Sequence, residues 1–156
     1  MEQEVLEKAY RDIQSRVHPD RFASAGDAER RASLQWTTRV NEAYRTLMDP
    51  VQRAKHILDL HGVDVAFETD TAMPVEFLAQ QLEFRESLEA ALERKDAVSL
   101  DGLRKMLLEQ RKALQEEIRE LIDDSRDYKG AAGLVRKLMF VQRLEEQVDA
   151  AYGEIE

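Results

Sequence analysis

Apolar residues recur at three- and four-residue intervals along nearly the whole chain, a spacing that gathers them on single faces of α-helices. Leu6, Tyr10, Ile13 and Val17 make the first stripe. Pro19 ends it, because proline has no amide proton and pushes the residue before it out of helical backbone. A second helix is predicted over 28–48, with Trp36, Val40, Ala43, Tyr44 and Leu47 on its apolar face and Asp27 as its N-cap. The two stripes predict an antiparallel hairpin with residues 18–20 at its turn. A short third helix over 51–61 is opened by Asp49-Pro50, closed by Gly62, and carries Val51, Ala54 and Leu58 on one side. Residues 62–74 show no sustained period and read as a connection; a strand candidate at 63–67 is too short and isolated to build a sheet.

Three longer amphipathic patterns start at Val75. Phe77, Gln81, Phe84, Leu88 and Ala91 form the first, and Leu100, Leu103, Leu107, Leu114, Ile118 and Leu121 the second. Leu134, Leu138, Val141, Val148, Tyr152 and Ile155 form the third. With turns expected at Lys95-Asp96 and at Gly130-Ala131-Ala132-Gly133, the helices run up, down and up as an antiparallel bundle. The expected fold is all-α: a helical hairpin with a short third helix over 1–61, a linker over 62–74, and a three-helix bundle over 75–156.

Charge divides the chain in the same way. Residues 1–61 balance ten Lys and Arg against ten Asp and Glu, whereas 62–156 set thirteen against twenty-two and carry the whole net charge of −9. Phosphate neutralisation needs the opposite sign, so nucleic acid is not an expected partner. The start of the chain is charged from Glu2 onward and no apolar run nears the roughly 20 residues of a membrane span, which predicts a cytoplasmic protein with no membrane partner. There is no cysteine, hence no disulfide and no thiolate ligand.

The residue types with chemical potential cluster at the hairpin turn. His18-Pro19-Asp20 lies between two helical patterns, Arg16 and Arg21 flank it, and Lys8 and Arg11 lie about 140 to 200 degrees from the core direction set by Leu6. These residues fit a presented loop, and equally a capping histidine, a helix-stopping proline and a solvated aspartate. An enzymatic reading would make His18 a general base oriented by Asp20, or join His18, His56 and His61 around a metal. No Ser or Cys nucleophile sits in a recognisable turn and no Gly-rich phosphate loop is present. His56 and His61 are spaced i, i+5 instead of the i, i+4 that aligns ligands on a helix, so they are expected to flank the negative end of the third helix. Neither catalysis nor a cofactor or metal is expected.

In the bundle, with Phe77 pointing to the core, Leu78 and Leu82 fall at about 100 and 140 degrees, Ala79 and Glu86 at about 200 and 180, and Glu83 at about 240. Phe140 lies about 100 degrees from the Val141 stripe. Periodicity alone favours burial of Leu78, Leu82 and Phe140 as the widened core of a helix that touches two neighbours.

Helix, His-Pro-Asp turn, helix resembles the J-domain of co-chaperones, and the neighbouring segments resemble its HscB-type subfamily. They are Tyr10-Arg11-Asp12-Ile13-Gln14, His18-Pro19-Asp20-Arg21-Phe22-Ala23, and Val40-Asn41-Glu42-Ala43-Tyr44-Arg45-Thr46-Leu47. Further on come Pro50-Val51-Gln52-Arg53-Ala54, the run from Leu58 to Asp64, the run from Phe77 to Glu86, and Val135-Arg136-Lys137-Leu138-Met139-Phe140. The resemblance implies a co-chaperone of iron–sulphur cluster assembly with two partners. His18, Pro19 and Asp20, with Lys8, Arg11 and Arg21, would dock on an HscA or DnaK-type chaperone and stimulate its ATPase, Asp20 pairing with a chaperone arginine. Leu78, Ala79, Leu82, Glu83, Glu86 and Phe140 would bind an IscU-like iron–sulphur scaffold. A larger Met is common in the family at the position of Ala79. Without thiolates, this chain would act on a cluster held by its partner. The alternative is a passive helical adaptor in which His-Pro-Asp carries no chaperone function.

Family members open with an additional segment, a Phe-rich stretch and a first short helix, ahead of the helix that here starts near Glu2. A form without it loses apolar burial worth about 25 cal/mol per Å² around residues 1–61. Amides there are expected to exchange with solvent faster than those of 75–156, and equal protection in a hydrogen-exchange experiment would contradict this.

Overall fold

The computed structural model describes residues 1–65 and 74–155; most of the connection expected over 62–74, and part of the strand candidate at 63–67, lies outside them. Among the described residues every regular element is helical. The chain forms two compact units, Met1–His56 and Ile57–Glu156.

In the first unit α1 (Gln3–Val17) leads into a single 3₁₀ turn (Pro19–Phe22) and α2 (Asp27–Met48). The helices are antiparallel, since Val17 meets Ser33 and Tyr10 meets both Asn41 and Tyr44. Their seam differs from the expected apolar stripe. Trp36 is 60% exposed and Ile13 44%, and Ala43 is exposed too. The face of α2 turned to α1 instead runs Ser33, Thr37, Val40, Asn41 and Tyr44, centred about 80 degrees round the helix from Trp36. Tyr10 and Tyr44 stack at 4.1 Å, the Tyr10 hydroxyl donates to Asn41 Oδ1 at 2.8 Å, and Gln14 Nε2 donates to the Tyr10 hydroxyl at 3.2 Å. Polar pairing and ring stacking hold this register, which keeps Val40 and Tyr44 of the expected stripe and turns Trp36 and Ala43 outward. Asp27 is not the N-cap: Gly26 holds that place, and Asp27, first in the helix, pairs its carboxylate with Arg30.

The third helix, α3 (Pro50–Leu60), begins as expected: Asp49 Oδ1 accepts the Gln52 amide at 2.9 Å. Val51, Ala54 and Leu58 are buried. At its far end Gly62 takes a φ of 71°, and the amides of Val63 and Gly62 donate to the carbonyls of Leu58 and Asp59. That pairing is the Schellman motif, which needs a residue free to adopt left-handed backbone.

The second unit contains α4 (Val75–Glu93), α5 (Ala97–Arg119), one π-helical turn (Glu120–Asp124) and α6 (Tyr128–Ile155). Phe77, Phe84, Leu88 and Ala91 of α4 are buried with Leu100, Leu107, Leu114 and Ile118 of α5. From α6 come Val135, Leu138, Val141, Leu144, Val148 and Ala151. Cross-helix pairs set an antiparallel register for α5 and α6: Asp101 accepts from the Tyr152 hydroxyl, Arg104 lies 3.8 Å from Asp149, and Arg111 lies 3.2 Å from Glu145. Asp96 caps α5, accepting the amides of Val98 and Ser99 at 3.1 Å each, and the Ser99 hydroxyl and these amides hold its carboxyl below the usual carboxylate range.

The turn between α5 and α6 sits earlier than expected. Gly130-Ala131-Ala132-Gly133 is not a turn but the first part of α6, with Ala131 and Ala132 buried, and the chain reverses over Ser125–Asp127, where Arg126 has a φ of 54°. Small residues here serve close packing and capping. Asp127 Oδ1 accepts the Gly130 amide at 2.9 Å, and a Cβ on Gly130 would collide with that carboxylate. No helix among the described residues is long and apolar enough to cross a membrane.

Gly102 and Gly130 therefore respond oppositely to alanine. Gly102, with nothing near its absent Cβ, should gain the full helix-propensity benefit of about 1 kcal/mol on Gly102→Ala. Gly130→Ala should forfeit that gain, because Asp127 must leave a cap worth about 0.5–2 kcal/mol. Urea unfolding of the two variants measures the difference.

Candidate functional site

Pro19 builds the turn. It forces His18 into extended backbone, with φ −58° and ψ 135°, and so stops α1 at Val17. His18 then closes the next turn twice: its carbonyl accepts the Arg21 amide at 3.0 Å and its Nδ1 accepts the Asp20 amide at 3.2 Å. A ring nitrogen that accepts an amide proton carries none of its own. The 3.6 Å approach of that same Nδ1 to the Asp20 carboxylate is thus no ion pair in this tautomer. The Asp20 side chain is 93% exposed.

Basic side chains lie on the helix that leads to this carboxylate and just beyond the turn. Lys8, Arg11 and Arg16 lie exposed along α1, and Arg21 is exposed beyond the turn. Arg21 is partly committed to the fold, since its Nη1 donates to the Ser15 carbonyl at 3.1 Å. A second contact escaped the sequence analysis altogether: the hydroxyls of Ser33 and Thr37 both donate to the Val17 carbonyl, at 2.6 and 3.2 Å. The only signal was that these two residues are spaced i, i+4 with Asn41 another four on, a polar stripe one residue off the apolar one.

In the second unit Leu78 is 50% and Leu82 60% exposed, with Ala79 and Glu86 exposed beside them, while Glu83, also exposed, lines the groove on the other flank of α4. The burial that periodicity favoured for both leucines is corrected: α4 settles on its neighbours through the Phe77, Phe84, Leu88 and Ala91 face alone. Phe140, half-buried, sets its ring edge-on to Phe77 at 5.5 Å and 76°. Leu78 and Leu82 thus form an exposed apolar pair on α4 with Glu86 near Leu82 on the helix surface. On the other flank of α4 a groove of about 570 Å³ is lined by Phe84, Leu103, Met106 and Gln81 among others, and Gln81 Nε2 is buried without a hydrogen-bond partner. Gln81 was visible as the one polar member of the α4 stripe.

His61 flanks the end of α3, its Nδ1 2.8 Å from the Ile57 carbonyl and its ring stacked on Tyr128 at 3.8 Å. Among the described residues no three His, Cys, Asp or Glu side chains are grouped to hold a metal ion.

A helical hairpin tipped by His-Pro-Asp, followed by a three-helix bundle with an exposed leucine pair, describes a J-domain-type co-chaperone. Residues 73–149 match the family described as the HSCB C-terminal oligomerisation domain. The whole chain is 47% identical over 156 residues to the co-chaperone protein HscB homolog of Burkholderia thailandensis, of which it covers 89%. It is 46% identical to that of Burkholderia multivorans, with the same coverage. Among solved structures it resembles the chaperone HscB from Vibrio cholerae, with a TM-score of 0.85 and 27% identity, over 100% of this chain and 91% of that one. It also resembles the human co-chaperone protein HscB, with a TM-score of 0.89 and 25% identity, over 96% and 74% respectively. The chain belongs to the HscB co-chaperone family.

Because Leu78 and Leu82 hold no part of the core, Leu78→Ser and Leu82→Ser should each change unfolding free energy by no more than about 0.5 kcal/mol. Phe84→Ala, which empties a buried site, should cost about 3–5 kcal/mol. Denaturant midpoints compare them.

Proposed function

We propose that this chain binds an IscU-like iron–sulphur scaffold through α4 and α6 and brings it to an HscA or DnaK-type chaperone in the cytoplasm, whose ATPase it stimulates through the His-Pro-Asp turn. The observation that carries the reading is the exposure of Asp20 at the tip of a hairpin whose approaching helix is lined with basic side chains. A solvated carboxylate gains little where it is. It gains much more in a charge-assisted, bidentate pair with an arginine on another molecule. His18 and Pro19 hold the turn that presents it, and Lys8, Arg11 and Arg21 meet an acidic patch on the chaperone.

The scaffold docks on Leu78, Ala79, Leu82 and Phe140, with Glu83 and Glu86 at the rim, an apolar centre inside a polar edge. At position 79 the small alanine contributes little area, so the two leucines and Phe140 supply most of the contact. Tethering scaffold and chaperone through one chain raises their effective concentration for each other. Bond-making belongs to the chaperone, which hydrolyses ATP; the chain itself is no enzyme and needs no cofactor.

Asp20→Ala should abolish ATPase stimulation while scaffold binding survives. Leu78→Ala with Leu82→Ala should do the reverse, weakening scaffold binding by about thirtyfold or more, as expected when two hot-spot side chains costing over 1 kcal/mol each are truncated. A passive adaptor would lose no stimulation with Asp20→Ala, having none. Parallel loss of both activities in both variants would refute the two-surface reading.

A further inference from the structure

The end of α1 leaves an accounting problem that the sequence of the turn creates. In a continuing helix the Ser15 carbonyl would accept from residue 19 and the Val17 carbonyl from residue 21. Residue 19 is proline and has no proton to give, and the Arg21 amide is diverted to the His18 carbonyl. Both carbonyls are then orphans of the kind every helix end must satisfy. The Arg21 guanidinium takes Ser15, at 3.1 Å. The Val17 carbonyl, one residue before His18, is taken by two hydroxyls from the opposite helix, Ser33 at 2.6 Å and Thr37 at 3.2 Å. Ser33 is the buried polar side chain of the described residues, 4% exposed, so this is no solvent-facing accident.

We infer that Ser33 and Thr37 are positioning residues for the His-Pro-Asp turn: by clamping the Val17 carbonyl from α2 they fix the direction in which the peptide leaves α1, and through it where the Asp20 carboxylate points. A carbonyl held by two donors from a second helix cannot rotate without breaking both bonds. Its peptide plane sets the next residue, His18, whose carbonyl and ring close the turn. Both hydroxyls are spent on the Val17 carbonyl and act through the backbone. The effect on the chaperone rests on the function proposed above, whereas the effect on turn order does not.

The test uses the full chain. Ser33→Ala combined with Thr37→Val removes both hydroxyls while keeping bulk at position 37, Thr37→Ser restores one of them, and Asn41→Ala serves as a control that breaks the Tyr10–Asn41 bond between the same two helices away from the turn. In the free protein, hydrogen exchange of the Asp20 and Arg21 amides should quicken by about tenfold in the double variant, the loss expected for hydrogen bonds of ordinary strength, and change little in Asn41→Ala. Thr37→Ser in the Ser33→Ala background should recover most of the protection. In the chaperone assay the double variant should raise the concentration needed for half-maximal ATPase stimulation, again by about tenfold, with the maximal rate retained. Unchanged exchange at Asp20 and Arg21, or an equal change in Asn41→Ala, would overturn the inference. If Asp20→Ala itself left stimulation intact, the functional reading would fall while the exchange result still decided this one.

Discussion

One missing amide proton organises the first unit. Pro19 cannot donate, so α1 ends at Val17, its last carbonyls need outside partners, and the partners they find are an arginine beyond the turn and two hydroxyls on α2. The same proline that stops the helix thereby recruits the opposite helix to hold the stop in place. An aspartate one residue further on is projected into solvent on a backbone constrained from both sides.

The two units are stabilised by different physics. The bundle buries large aliphatic and aromatic side chains from α4, α5 and α6 and pins the α5–α6 register with Arg104, Arg111 and Tyr152. In the hairpin α1 has no fully buried side chain and α2 has only Ser33, so stacked tyrosines and short polar bonds carry much of the association. The surfaces read as functional follow this division: charged and conformationally set in the hairpin, apolar and broad on the bundle.

Helix existence was legible from periodicity throughout, and the α4 stripe of Phe77, Phe84, Leu88 and Ala91 lies buried as read. What periodicity missed has specific causes. Trp36 is apolar but lies about 80 degrees from the centre of the seam, on whose face Ser33, Thr37 and Asn41 hydrogen-bond to α1 while Val40 and Tyr44 remain as read. The glycines at 130 and 133 looked like turn residues, yet one accommodates the Asp127 cap and the pair flanks two buried alanines; the actual turn uses Arg126 in left-handed backbone, which a sequence gives no reason to expect. Periodicity alone favoured Leu78 and Leu82 as core by width of stripe, whereas the family resemblance put them on a surface, and packing leaves both exposed because α4 needs a narrower stripe. For the candidate site the turn residues were legible because proline chemistry is local, whereas the hydroxyl clamp depends on which face of α2 looks back, a tertiary fact.

Opening the hairpin hydrates half-buried side chains such as Leu6, Val17, Val40 and Leu47, less hydrocarbon than the bundle hides. Since heat-capacity change scales with apolar surface hydrated on opening, local opening of this unit carries a smaller one. The stability of the hairpin therefore curves less with temperature than that of the hydrocarbon-rich bundle, and its response to warming is governed by the enthalpy of the polar bonds that break.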